Sequence, residues 1–157
     1  ISLLLGLFQA AQTGTVIGAV KVPETAKPAA AARVILLPAK YTEIWNKQVQ
    51  TRLDNYWEIY KPEFVANKEH FLDFNRMAQI EAFRYVTSNM RRDLRDAASQ
   101  FKKGPSPMGQ FDFGGIPFGT YQLLVHAMVN GRDLIWLKTV DVHSEIPIFV
   151  DLGKPLS

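Results

Sequence analysis

The fold is decided by residues 109–127, which read GQFDFGGIPFGTYQLLVHA. Apolar residues recur on both sides of a short segment that contains Gly and Pro, and this predicts two β-strands joined by a turn. Gly115 and Gly119 can adopt positive φ, and Pro117 fixes the backbone between them. Tyr121 is then expected to return into a hydrophobic core.

The second of these strands shows a clear period of two. Residues 120–129 read TYQLLVHAMV, so odd-numbered and even-numbered side chains lie on opposite faces. The predicted sandwich core takes the odd-numbered face, which consists of Tyr121, Leu123, Val125, Ala127 and Val129. The opposite face carries Gln122, Leu124, His126 and Met128.

Further strand patterns lie on both sides of this region. They cover residues 15–22 (TVIGAVKV), 33–37 (RVILL), 134–142 and 146–152. The continuous apolar run at 33–37 suits a strand that is buried on both faces. Asn130 and Gly131 separate two of the strands and predict a tight hairpin.

The hydrophobic period changes from two to about 3.6 residues after the second strand. Over residues 42–60, apolar side chains recur at spacings of three and four, which predicts an amphipathic helix with Thr42 as its N-cap. Pro62 then begins a new helical pattern, because proline is accepted in a first helical turn and disfavoured inside a helix.

The second helical pattern extends to Phe101. It suits either one helix or two helices with a break near residues 87–89. Lys102 and Lys103 suit a helix C-terminus, and the sequence GPSP at 104–107 ends the helical segment. We therefore expect two or three helices between strands 2 and 3.

The turn region resembles the repeating signature of carboxypeptidase-regulatory-like and collagen-binding-B-like domains, which are transthyretin-like (prealbumin-like) sandwiches. In those families a strand that ends in Phe leads through a Gly-Ile-Pro-x-Gly turn into a Tyr-containing strand. The matching positions here are Phe113, Gly115, Ile116, Pro117, Gly119 and Tyr121. TVIGAV and RVILLP are similar to the first two strands of the family, so the likeness covers residues 14–39 and 108–152.

The resemblance implies a mainly β protein with an α insertion, a transthyretin-like Greek-key β-sandwich. Family members connect strands 2 and 3 by a short segment, so the long helical insertion departs from the pattern. The expected division is an apolar N-terminal segment at 1–12, a β-sandwich at 13–40 and 105–157, and a helical insertion at 41–104.

The resemblance also implies a secreted or surface module that binds, spaces or assembles. Enzymes of the transthyretin-like class carry a His-bearing opening strand and a C-terminal Tyr-Arg-Gly-Ser, and neither pattern occurs in this sequence. We therefore expect no enzymatic activity.

The composition narrows the possible functions further. The 157 residues include 18 basic and 15 acidic residues, and the net charge of +3 is too small and too evenly spread to indicate a nucleic-acid partner. The sequence has no cysteine, which excludes disulfides, thiol nucleophiles and Cys-ligated metals.

Residue types that often catalyse reactions or bind metals are present, but their spacing does not match a catalytic or metal-binding motif. Glu69, His70 and Asp73 are close in sequence, but the paired histidines of helical zinc motifs are missing, so a solvated helix face is expected. His126 and His143 are expected to be isolated surface histidines. We predict no catalytic, metal or cofactor site.

The sequence leaves several candidate interaction surfaces. An apolar N-terminal segment, the candidate assembly segment, contains Ile1, Leu3, Leu4, Leu5, Leu7 and Phe8. A basic surface contains Arg84, Arg91, Arg92, Arg95, Lys102 and Lys103. An aromatic surface that would stack on sugar rings contains Trp45, Trp57 and Tyr60.

Each surface has alternative explanations. The N-terminal segment is typical of a secretory signal remnant, of a strand donated to a neighbouring subunit, of a contact in a membrane-associated complex, or of packing on its own domain. The basic residues suit acidic partners, anionic lipid headgroups, or a solvated helix with ion pairs at i and i+4. The helical spacing of the aromatic residues also suits burial.

The sequence predicts a non-catalytic structural or interaction module that is secreted, periplasmic or at the cell surface. Its expected partners are proteins, with copies of itself joined into an oligomer or filament, and membrane contact through the N-terminal segment is a further option. The alternatives are a carbohydrate-binding or adhesion module and an accessory subunit of a membrane-associated complex.

Overall fold

The computed structural model describes residues 12–25, 27–29, 31–66 and 68–156. The candidate assembly segment therefore lies outside the described residues. Within them, the elements follow in the order β1 (Thr13–Ala19), β2 (Arg33–Pro38), α1 (Ala39–Ala66), α2 (Lys68–Leu94), a 3₁₀ helix (Arg95–Phe101), β3 (Lys102–Lys103), β4 (Gln110–Pro117), β5 (Gly119–Val129), β6 (Arg132–Val142) and β7 (Ile148–Val150).

The strands form two sheets. In the smaller sheet, β1 is the central strand, antiparallel to β4 and parallel to β7. The larger sheet has the order β3-β2-β5-β6 and is antiparallel throughout. The two sheets agree with the predicted β-sandwich, while its Greek-key, transthyretin-like type and the division at residues 12, 40 and 104 stay predictions.

The core between the sheets follows from strand register, because directly paired residues point to the same side. Val34 pairs with Val125, which pairs with Trp136, and all three side chains are almost fully buried. On the smaller sheet, Val16 and Phe113 pair and belong to the same buried cluster. The prediction that the odd-numbered face of β5 forms the sandwich core is thus confirmed.

The other face of the larger sheet is covered by the helices. Ile35 and Leu124 are paired on this face, and each is only 1% exposed. Phe83 of α2 contacts His126 of β5, with ring centroids 5.6 Å apart. Leu124 was expected on the non-core face, and it is buried because the helices pack against that face. β2 is therefore buried on both faces, as its apolar run predicts.

The predicted restart of the helical pattern at Pro62 is confirmed by a kink at Tyr60, where φ is −116° and ψ is 18°. α1 begins directly after β2, so Thr42 lies inside the first turn and is not the N-cap. Its hydroxyl donates instead to the backbone carbonyls of Leu37 and Pro38, at 3.3 and 3.4 Å.

The end of the helical segment differs in part from the prediction. Residues 87–89 lie inside a continuous α2, so the alternative with a break there is wrong. The helical backbone ends at Phe101 with Lys102 as the C-cap residue, as the sequence predicts. The two lysines form β3, which adds to the edge of β2.

Two turns in the C-terminal half of the chain have the backbone conformation that the sequence predicts. Asn130 and Gly131 adopt φ of 51° and 73°, which confirms the hairpin between β5 and β6. Gly115 has the expected positive φ, 64°. The final strand is shorter than the predicted 146–152, since β7 contains only Ile148–Val150.

Asp93 joins the beginning of α1 to the end of α2. The Tyr41 hydroxyl donates to its Oδ2 atom at 3.0 Å, and Lys40 lies 3.7 Å from the same oxygen. Arg92 donates to Oδ1 at 3.1 Å. The hydrogen bonds from Arg92 and Tyr41 lower the pKa of Asp93 below its ordinary value.

Close packing within the smaller sheet requires glycine at position 18. A Cβ atom there would overlap the ring of Phe111, whereas a Cβ atom at Gly114 would meet no atom within 4 Å. We expect Gly18→Ala to lower the free energy of unfolding by about 1–3 kcal/mol. Gly114→Ala, the matched control, should change it by less than about 0.5 kcal/mol. Urea unfolding measures both, and equal effects would contradict this account of Gly18.

Candidate functional site

A cleft lined by basic side chains lies between α2 and the β2–β3 edge of the larger sheet. Its volume is about 370 Å³, and its walls include Arg33, Arg91, Lys102 and Lys103. Lys103 pairs with Val34, so its side chain points to the opposite face of the sheet. We call the other three cations and the space between them the basic cleft. Phe83 also lines it, so the cleft combines positive charge with an apolar wall.

Three elements bring the cations of the basic cleft together. Lys102 pairs with Ile35, and Arg33 lies two residues before Ile35, so all three residues share the face of the sheet that packs against α2. Arg91 comes from the last turn of α2. The convergence therefore depends on the packing of α2 against the sheet edge.

The electrostatics of the cleft are dominated by like charges. Burial lowers the pKa of Lys102 below its ordinary value, and the nearby Arg91 and Arg33 lower it further. In the part of the chain that the structure describes, none of the ion pairs joins the basic cleft to a carboxylate. The cations are thus held together without a described anionic partner.

The structure divides the six basic residues that were predicted as one surface. Arg91 and Lys102 meet in the basic cleft, and Lys103 points to the opposite face of β3, whereas Arg84 lines a neighbouring cavity of about 330 Å³. Arg92 pairs with Asp93, and Arg95 begins the 3₁₀ helix with φ of 51°. Arg33 was missed, because it is distant in sequence and no local pattern links it to the other cations.

The histidines do not all lie where they were expected. His126 is not isolated, since its Nε2 atom lies 2.7 Å from Oδ1 of Asp133, and both side chains are largely buried. His143 is exposed, and its Nδ1 atom lies 3.1 Å from the carbonyl oxygen of Asp141. The strand register explains the first pair, because both residues point towards the helices.

The acidic and histidine residues at the start of α2 do not form a described metal site. His70 is exposed, and Asp73 pairs with Arg76 at 3.3 Å. Among the described residues, no group of three His, Cys, Asp or Glu side chains is arranged to hold a metal ion.

The three predicted aromatic residues have different environments. Trp45 is buried, so it cannot offer a ring face to a ligand. Trp57 is 42% exposed, and Lys61 Nζ lies 5.7 Å from its ring. Tyr60 is 37% exposed and stacks on Phe74, with centroids 4.8 Å apart. Trp57 is the more accessible of the two exposed rings.

A polar network joins the two helices beside these aromatic residues. Tyr56 donates to Oε1 of Glu81 at 2.9 Å, and Arg52 Nε lies 2.9 Å from Oε2 of the same carboxylate. Burial, followed by the hydrogen bond and the charge of Glu81, raises the pKa of Tyr56 to about 12. The network fixes the relative position of α1 and α2.

The outer face of the smaller sheet is open. Ile17 of β1 pairs with Phe149 of β7, and the Phe149 side chain is 78% exposed. A cavity of about 750 Å³ lies beside them and is also lined by Ala19 and Asp112. This face carries apolar groups that no described element covers.

The comparisons with known proteins give limited information. No family model matches the chain, and no curated relative matches its sequence. A protein from Pseudomonas aeruginosa, described as a candidate carbohydrate-binding protein, is 15% identical with a TM-score of 0.37, over 91% of this chain and 92% of its own. The pilus backbone protein RrgB from Streptococcus pneumoniae has the same identity and TM-score over 83% of this chain.

The chain spans 34% of the length of that RrgB structure, and 25% of a full-length RrgB structure with a TM-score of 0.30. Scores this low assign no function to this chain. Among the described residues, no helix is both long and apolar enough to cross a membrane.

The polar network predicts a specific dependence of stability on pH. Because the pKa of Tyr56 is higher in the folded protein than in the unfolded chain, its contribution is complete below about pH 10 and is lost as the pH rises to about 12. Tyr56→Phe should lower the free energy of unfolding at neutral pH. Between about pH 10 and 12 the unfolding free energy should also decline less steeply in the variant, because unfolding releases about one proton fewer.

Urea unfolding at a series of pH values measures this slope. Tyr85→Phe is the matched control, because it keeps the aromatic ring beside Arg52 and lies outside the hydrogen bond to Glu81. If both variants keep the slope of the unaltered protein, the assigned role of Tyr56 is wrong.

Proposed function

We propose that this chain is a non-catalytic, extracytoplasmic interaction module of the transthyretin-like, Greek-key type that assembles with copies of itself. The larger sheet and the helices form a rigid platform. The β7 edge of the smaller sheet receives the apolar N-terminal segment of a second copy as an added strand. The observation that carries the proposal is the exposed Phe149 on the edge strand β7, which is paired with the partly buried Ile17 of β1.

The edge of the smaller sheet supports this mode of assembly. β7 pairs with β1 on one side, and no described strand lies on its other side. An edge strand presents unpaired backbone N–H and C=O groups that can bind an added strand. In strand addition, backbone hydrogen bonds provide affinity and alternate side chains provide specificity.

The candidate assembly segment has a suitable pattern for such a strand. Ile1, Leu3, Leu5 and Leu7 alternate along the sequence, so an extended segment would place all four side chains on one face. Eight extended residues span about 26 Å, which is long enough to pair with all of β7. The apolar face of the added strand would then lie beside Phe149 and shield it from water.

The native mass of the purified protein tests this proposal. Light scattering should find assemblies for the full chain and a monomer for a chain that lacks residues 1–11. Gln12 is kept because its carbonyl accepts a hydrogen bond from Phe118 N at 3.1 Å. Phe149→Glu should also give a monomer, because a charge on the receiving strand opposes burial of an apolar strand.

Ile59→Glu is the control for this experiment. Ile59 is 66% exposed on α1, so its replacement should leave the assemblies intact. A monomeric full chain, or assemblies that persist in Phe149→Glu, would contradict the proposal. Assemblies lost in Ile59→Glu would instead place the contact on the helices.

Carbohydrate recognition at the cell surface is the second candidate function. The observation that favours it is the exposed ring of Trp57, because aromatic faces stack on sugar rings. Trp57→Ala should abolish binding on a glycan array, while Met77→Ala, another exposed apolar change on the helices, should retain it. Absence of glycan binding by the unaltered chain would reject this candidate.

A further inference from the structure

The basic cleft holds three cationic side chains, Arg33, Arg91 and Lys102, from three elements around a cavity of about 370 Å³. We propose that this cleft binds a phosphate group, carried either by a soluble phosphate ester or by a lipid headgroup. The proposal is independent of assembly through the smaller sheet, because the cleft lies on the face of the larger sheet that carries the helices.

The arrangement of the cleft destabilises the protein when no anion is bound. The fold holds the partly buried Lys102 near Arg91 and Arg33, whose side chains are exposed, so water screens their repulsion only in part. A bound anion adds an attraction to each cation, and these attractions offset the repulsion between the cations. A ligand-binding site is therefore a physical reason for cations to converge at a position where they oppose folding.

Neighbouring carboxylates are already engaged by other side chains. Asp93 accepts hydrogen bonds from Arg92 at 3.1 Å and from Tyr41 at 3.0 Å. Asp133 pairs with His126 at 2.7 Å. Within the described ranges, these acids therefore do not neutralise the cleft, and its charge remains available to a ligand.

The residue types in the cleft favour phosphate over a single carboxylate. Arg33 and Arg91 carry planar guanidinium groups that can bind two phosphate oxygens at once, and Lys102 adds a compact charge. A doubly charged anion balances this excess of positive charge better than a singly charged anion does. The apolar wall at Phe83 strengthens the attraction by excluding water from one side.

The cleft recognises charge rather than a particular ester. The Thr87 hydroxyl, which also lines it, already donates its hydrogen to the Phe83 carbonyl at 2.7 Å. Its hydrogen is therefore not available to a bound oxygen. Arg33, Arg91 and Lys102 supply the recognition, so inorganic phosphate is a suitable probe.

Calorimetry and thermal unfolding of the full chain test the site with inorganic phosphate at constant ionic strength. Phosphate should raise the melting temperature more than chloride does. Lys102→Gln and Arg91→Gln should each weaken phosphate binding by about tenfold or more. Lys47→Gln, which removes an exposed lysine of α1 outside the cleft, should bind as the unaltered protein does.

A second readout separates a binding role from a structural one. Without phosphate, Lys102→Gln should unfold at the same temperature as the unaltered protein or at a higher one, because the substitution relieves repulsion. A lower melting temperature together with unchanged phosphate affinity would show a structural role and overturn the proposal. Equal effects of phosphate and chloride on the unaltered protein would also overturn it.

Vesicles distinguish the two sources of phosphate. If the ligand is a lipid headgroup, the chain should sediment with phosphatidylcholine vesicles that contain phosphatidic acid but not with phosphatidylcholine alone, and Lys102→Gln should lose this binding. If inorganic phosphate binds and the vesicles do not, the ligand is a soluble ester. Either result supports the site.

Discussion

The larger sheet has two apolar faces, and a different layer must cover each of them. Residues 34–37 of β2 are all buried, because the side chains alternate between the smaller sheet and the helices. Leu124 of β5 points to the helices between neighbours that point into the sandwich. Without α1 and α2, this second face would be exposed to water, at a cost that grows with its apolar area. The helices therefore belong to the core: Phe83 and Val86 of α2 lie in the same buried cluster as the sandwich residues.

Local sequence patterns predicted much of this fold. The apolar run at 33–37 predicted a strand buried on both sides, Asn130 and Gly131 predicted the hairpin, and Pro62 predicted a helix boundary. Each of these signals acts within a few residues. The pairing of β3 with β2 and the burial of Leu124 were missed, because both depend on where the helices rest on the sheet. Neither has a local signature in the sequence.

The candidate site was predictable only in part for the same reason. Lys102 and Arg91 were identified as basic residues, but Arg33 joins them through the pairing of β3 with β2. Trp45 and Trp57 look equivalent in sequence, yet the first packs in the core and the second faces water. The helices thus have two functions. One side completes the core, and the other positions the basic cleft and the exposed aromatic residues.

Native-state hydrogen exchange tests the shared core most directly, because it measures the free energy at which each segment opens. If the helices and the sandwich form one cooperative unit, amides around Phe83 in α2 and around Leu124 in β5 should exchange with the same free energy, equal to that of global unfolding. If α2 opens at a much lower free energy while the strands remain protected, the helices are an independent addition and the account of the larger sheet is wrong.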